Sequence, residues 1–96
     1  MQDAEFEWDD AKAASNHRKH GVTFGEAATV FQDPLAVTFD DPDHSGDEDR
    51  FLTIGMSAAD RVLIVSHTDR DGRIRIISVR EASRGERQGY EDGTFP

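Results

Sequence analysis

Residues 50–80 constrain this chain more than any other stretch, because they leave little room for anything but strands. Arg50–Met56, Arg61–Thr68 and Arg73–Arg80 are each rich in β-branched residues and bounded by turn formers. Ser57-Ala58-Ala59-Asp60 links the first two, and Asp71-Gly72 supplies hairpin-turn chemistry between the last two. Connections this short join antiparallel neighbours, since a parallel crossover needs about a dozen residues or more. Leu35–Asp40 adds a fourth strand upstream. Strict alternation along Arg73–Arg80 sets Ile74, Ile76, Ser78 and Arg80 on one face, and Ile77 and Val79 with Arg73 and Arg75 on the other. The first face turns polar where Arg80 emerges. In the preceding strand the face of Val62, Ile64 and Ser66 likewise ends in Thr68.

Helical signals flank the strands. Phe6-Glu7-Trp8 reads as a very short strand or an extended lead-in, with Phe6 and Trp8 as core anchors. Asp9 is placed as the N-cap of a helix over 10–20, whose last turn gathers Arg18, Lys19 and His20 before Gly21 stops it. Lys12, Asn16 and Lys19 share a stripe, and Asn16 and His20 are one turn apart. Thr23 and Glu26 form a capping-box pattern with Val22 and Ala27 as its staple. Phe24, Ala27, Ala28 and Phe31 then make one apolar face, ended by Asp33-Pro34. A last helix over about 82–91 puts Ser83, Arg87 and Tyr90 on one stripe. Gly85 and Gly89 cost it about 1 kcal/mol each against alanine, so it needs docking. The tail from Gly93 is expected to be loose. These signals predict one α+β domain over 1–96, with a core at about 6–91. Two N-terminal helices pack on a four-stranded antiparallel sheet, followed by a C-terminal helix.

Charge is distributed unevenly. Residues 61–90 carry seven arginines against four acids, a local +3, while the other 66 residues carry four bases against sixteen acids. The total of −9 argues against general affinity for nucleic acid but leaves room for a local basic cleft. It also suits storage against a basic partner. The absence of cysteine removes disulfides and thiolate zinc sites and suits a reducing cytoplasm. No apolar run approaches the roughly 20 residues of a membrane span, and Met1–Glu5 lacks the order of a signal peptide. Residues 40–49 hold six acids and no Lys or Arg, a solvated loop. A calcium site drawn from Asp41, Asp43, Asp47 and Asp49 does not fit EF-hand spacing. No metal or cofactor is expected.

The residues suited to chemistry are Lys19 and His20, Thr68 and Arg70, Arg80, and Glu86, Arg87 and Tyr90. Arginine holds phosphate through a charge-assisted fork, and two or three around one phosphodiester would stabilise charge developing on its oxygens. RNA can then be cut without metal. Its 2′-hydroxyl attacks phosphorus once Glu86 or His20 takes the proton, and an acid protonates the leaving 5′-oxygen. Tyr90 could stack on a base or orient the phosphate. Plainer roles compete. Glu86 with Arg84 or Arg87 makes an ordinary helix ion pair, His20 a C-terminal cation, and His67 a packed strand residue. His17 and His44 look like surface residues, as do Arg73 and Arg75.

Phe6-Glu7-Trp8-Asp9, Lys19-His20-Gly21-Val22-Thr23-Phe24, Val30-Phe31, Arg50-Phe51, Ile74-Arg75-Ile76-Ile77-Ser78, Arg80, Glu86-Arg87 and Tyr90 resemble the BrnT toxins of bacterial type II toxin–antitoxin systems, over about residues 6–91. His67 stands where that pattern has an aromatic, and Val79 where it has alanine. The resemblance implies a RelE-like fold and a ribonuclease that arrests translation. It also implies a BrnA-type antitoxin with a ribbon-helix-helix domain, through which the complex reaches operator DNA. By position it carries over Thr68, Arg70, Arg80, Glu86 and Arg87 as catalytic candidates, with Lys19, His20 and Tyr90 as RNA-binding ones. A homologue without activity would instead be an antitoxin-binding module in operon autoregulation.

Overall fold

The computed structural model describes residues 5–43 and 49–95. Readings that fall on Met1–Ala4, on His44, or on the solvated loop at Asp47 lie outside them. The elements are β1 (Phe6–Glu7), α1 (Asp10–His20), α2 (Phe24–Thr29) running into a 3-10 turn (Val30–Gln32), β2 (Val37–Asp40), β3 (Phe51–Met56), β4 (Val62–Arg70), β5 (Arg73–Glu81) and α3 (Arg84–Asp92). None of these helices is long and apolar enough to cross a membrane.

Local chemistry sets the helix ends. Asp9 Oδ1 accepts from the Lys12 N–H at 3.0 Å, and Gly21 closes α1 at φ 71°, a left-handed conformation open to glycine. Thr23 Oγ1 caps α2 by accepting from the Glu26 N–H at 3.0 Å. The Glu26 carboxylate does not return to Thr23. It accepts instead from Arg61 Nε at 2.9 Å and Ser57 Oγ at 2.7 Å, clipping α2 to the start of β4. The reciprocal capping box forms on α3, between Ser83 and Glu86.

The sheet has five strands in the order β1-β5-β4-β3-β2. This corrects the expected four-stranded antiparallel sheet. β1 is a true strand and pairs parallel to β5 (Phe6↔Ile74, Glu7↔Arg75), so the sheet is mixed. Two residues are too few for periodicity to reveal a strand's direction. Here tertiary contacts set it: Phe6 tilts against Phe31 with ring centroids 5.3 Å apart, and Glu7 accepts from Arg75 at 2.9 Å.

A second correction concerns the faces of β5. Ser78 pairs with Ser66 but Ile76 pairs with His67, so Ile77 is left without a partner. This β-bulge reverses the alternation once. Ile74, Ile76 and Val79 therefore all pack with Leu63, Val65, Val22, Phe24 and Val30 under α1 and α2. Ser78 and Arg80 turn to the opposite face. There Ile54, Val62 and Ile64 carry a second apolar layer with Leu52, Tyr90 and Phe95, beneath α3.

α1 has one buried residue, Asn16. Because β1 pairs only with Ile74 and Arg75, the edge of β5 beyond them is open, and Asn16 fills it at Val79. Its Oδ1 accepts from the Val79 N–H (3.1 Å), and its Nδ2 donates to the carbonyls of Val79 (2.9 Å) and Val22 (3.2 Å). One amide thus stands in for a missing strand. The tail is not loose as far as Phe95. Gly93 reverses the chain at φ 72°, and Phe95 packs on Phe39 with centroids 5.4 Å apart.

Candidate active site

Between α3 and the second face of the sheet lies an open groove of about 420 Å³. Its floor follows a cross-strand row, Ser78–Ser66–Leu52–Phe39, set by the sheet register. Arg80 and Glu86 stand at the β5 end, Phe39 and Phe95 at the β2 end, and Asp43 near the latter. His20 joins from the far edge. α1 runs along the open side of β5, the Asn16 amide fixes it at Val79, and His20 follows one turn later at the groove mouth.

Arg80 and Glu86 form a two-pronged ion pair. Nη1 donates to Glu86 Oε1 at 2.8 Å and Nη2 to Oε2 at 3.0 Å, while Nη1 also reaches the Glu81 carbonyl at 3.3 Å. The Ser83 N–H donates to Glu86 Oε1 at 2.7 Å as well. Arg80 and then the Ser83 N–H together outweigh burial and hold the Glu86 carboxyl at about 2. The same pairing raises Arg80. Of the five N–H donors of this guanidinium, the Nε–H and one Nη2–H have no partner among the described residues. They form the side-on fork that matches a phosphate.

The structure spreads the remaining sequence candidates. Of the seven arginines between 61 and 90, only Arg80 lines this groove. Arg87 lines a separate polar cavity of about 520 Å³ with Arg61, Glu81 and Arg84. Thr68 is 2% exposed and donates its hydroxyl to the Asp49 carbonyl at 2.5 Å. Arg70 pairs with Arg73 at the hairpin end, six residues along β4 from Ile64, the partner of Arg80. That separation is about 20 Å at strand rise. Tyr90 donates its hydroxyl to Asp33, and burial followed by that acceptor pushes it up to about 12. Lys19 is exposed on α1 beside His20. Among the described residues no three His, Asp or Glu side chains gather as a metal site.

Sequence reasoning did not single out Ser66, Ser78, Phe39 or Phe95 for the site. The Ser83-x-x-Glu86 spacing was an available signal for how Glu86 is held, being a capping-box pattern. No local signal marks Phe95, which arrives only through the reversal at Gly93. His67, 4% exposed, is a packed residue: edge-on to Phe31 at 4.9 Å, stacked with Phe51 at 5.8 Å and bonded through Nε2 to Thr53 Oγ1 at 2.7 Å.

The comparisons with known proteins agree with this architecture. No curated protein sequence matches the chain. The crystal structure of the Brucella abortus ribonuclease toxin BrnT is similar in fold, with a TM-score of 0.64 at 23% identity, over 83% of this chain and 97% of that one. A family profile described as the ribonuclease toxin, BrnT, of type II toxin–antitoxin systems matches residues 8–86. That match spans most of the 96 residues, so the chain belongs to the BrnT family of ribonuclease toxins.

Proposed function

We propose that the groove is the ribonucleolytic centre and that the protein cuts RNA without a metal ion. The side-on fork of Arg80 takes the scissile phosphate while Glu86 holds the guanidinium end-on. His20 accepts the 2′-hydroxyl proton as that oxygen bonds to phosphorus. The bond to the 5′-oxygen breaks, and that oxygen takes a proton from water or a protonated side chain. The products are a 2′,3′-cyclic phosphate and a free 5′-hydroxyl. Glu86, held at about 2, is a poor match for proton abstraction near neutrality and acts here as a positioning residue. His20 stands at the groove mouth, where an imidazole can reach a ribose on the bound phosphate. Lys19 and Arg87, both exposed outside the groove, contribute long-range attraction for the backbone. Thr68, Arg70 and Tyr90 support the sheet, the hairpin and the α3 contact.

The observation that carries this reading is the unspent fork of an arginine fixed inside a groove. Purified protein should cleave RNA in EDTA. Arg80→Ala should lose about 100- to 1,000-fold and His20→Ala about 100-fold or more, as loss of one charge-stabilising donor or one proton-transfer group does. Intact RNA with the wild type, or equal cleavage by Arg80→Ala, overturns the reading.

In the cell this reading makes the protein a RelE-like cytoplasmic toxin that stops translation. A BrnA-like ribbon-helix-helix antitoxin neutralises it and supplies the contact to operator DNA. One observation favours a second reading, an antitoxin-binding module without activity: a single arginine lines the groove. Growth on induction alone separates the two, since arrest relieved by the antitoxin requires the enzyme.

A further inference from the structure

The phosphate end is only half of the groove. The other half is apolar and aromatic, with Leu52 and Ile64 beneath and Phe39 and Phe95 at the wall. Between the halves sit the hydroxyls of Ser66 and Ser78, paired across β4 and β5, with no hydrogen-bond partner among the described residues. Ser66 is 9% exposed and Ser78 is exposed, so both hydroxyls open to the solvent of the groove from its floor.

We infer that this half is a nucleobase subsite: the unstacked base next to the scissile phosphate lies on the Phe39–Phe95 pair, with its polar edge on Ser66 and Ser78. The inference rests on the ribonucleolytic reading and specifies its substrate as single-stranded RNA. The order along the groove supports it. From β5 to β2 it runs from guanidinium through hydroxyls to apolar floor to aromatic rings, the order of phosphate, sugar and base in a nucleotide laid across the strands. The acid Asp43 lies toward the aromatic end, which directs the anionic group to Arg80 and the neutral ring to the phenylalanines. Phe39 and Phe95 touch each other at 54°, so a base stacks on their outer faces and does not slot between them. Base–aromatic stacking tolerates any base, whereas the hydroxyls add the discrimination. Phe95 lies beyond the matched family region 8–86, so this part of the subsite belongs to the chain's own tail.

The test uses full-length protein and conservative variants. Phe39→Leu and Phe95→Leu keep apolar bulk but remove the π-face. Each should raise KM for a short single-stranded RNA about 5- to 50-fold while kcat changes far less. Ser66→Ala should flatten the base preference in a sequenced cleavage map. The four nucleoside 3′-monophosphates should shift the NMR signals of both phenylalanine rings, whereas inorganic phosphate should shift the Arg80 side chain alone. Variants that match the wild type in KM and cleavage map, or rings unmoved by every nucleotide, overturn the subsite. A wild type that binds nucleotides at the rings but never cuts RNA overturns only the ribonucleolytic reading.

Discussion

Asn16 offers a sharp test of how the site is positioned. Replacing it with leucine keeps the volume but removes three hydrogen bonds, leaving the Val79 N–H and the carbonyls of Val79 and Val22 unpaired under α1. A buried unsatisfied group costs about 1–3 kcal/mol, and carbonyls fall at the low end when a second lone pair is served. About 1 kcal/mol for each of three groups gives about 3 kcal/mol. A domain of this length holds about 5–14 kcal/mol in all. Urea unfolding should show the loss at constant m-value. The melting temperature should fall by about 12–24 °C, at about 4–8 °C per kcal/mol. Asn16→Asp is the control. Its carboxylate still accepts from the Val79 N–H, but it sets an anion against two carbonyls. It should be as unstable as the leucine variant at pH 7 and recover in part once protonated, when it can donate again. If Asn16→Leu lies within about 1 kcal/mol of wild type, α1 is held by other contacts and the amide does not place His20.

Three further outcomes follow from other contacts. Burial depresses His67 to about 4 against an ordinary 6.5, so the unfolded chain binds the extra proton first and stability should drain away as pH falls from about 6.5 to 4; His67→Phe should remove most of that loss in melts at pH 7 and pH 5. A Cβ on Gly55 would stand 2.9 Å from Val30 Cγ1 and 3.0 Å from Ala36 Cβ, so Gly55→Ala should cost about 1–3 kcal/mol by overpacking, read by urea unfolding. Burial alone would raise the Asp33 carboxyl, but the Met56 N–H, the Tyr90 hydroxyl and the Leu35 N–H hold it below the ordinary value; Tyr90→Phe should cost about 2 kcal/mol and fray α3 first in hydrogen exchange.

How much was readable in the residues depended on how local each signal is. α1 was delimited by Asp9 and Gly21, and the β4–β5 hairpin by Asp71-Gly72, because those signals act within a few residues. The direction of β1 was not readable, since Phe6 and Glu7 take it from Phe31 and Arg75, far away in the chain. Glu26 shows the same limit. Its spacing from Thr23 fits a capping box, yet Arg61, 35 residues on, takes the carboxylate. Arg80, Glu86 and His20 were named from residue type and reach one groove. The serines and phenylalanines beside them were not, because their meeting depends on register across four strands and on a chain reversal.

Ile77 divides its strand into two lengths of opposite phase. Before it Ile74 and Ile76 pack under the helices; after it Val79 does so, while Ser78 and Arg80 face the groove. Taking that residue into the ladder opposite Ser66, a slip of one position, would rotate Val79 out and drive a guanidinium into the packed layer, exchanging scaffold for chemistry without altering either neighbour. The cheapest lesion to this site is therefore a slip of register at one aliphatic residue that touches none of the reacting groups.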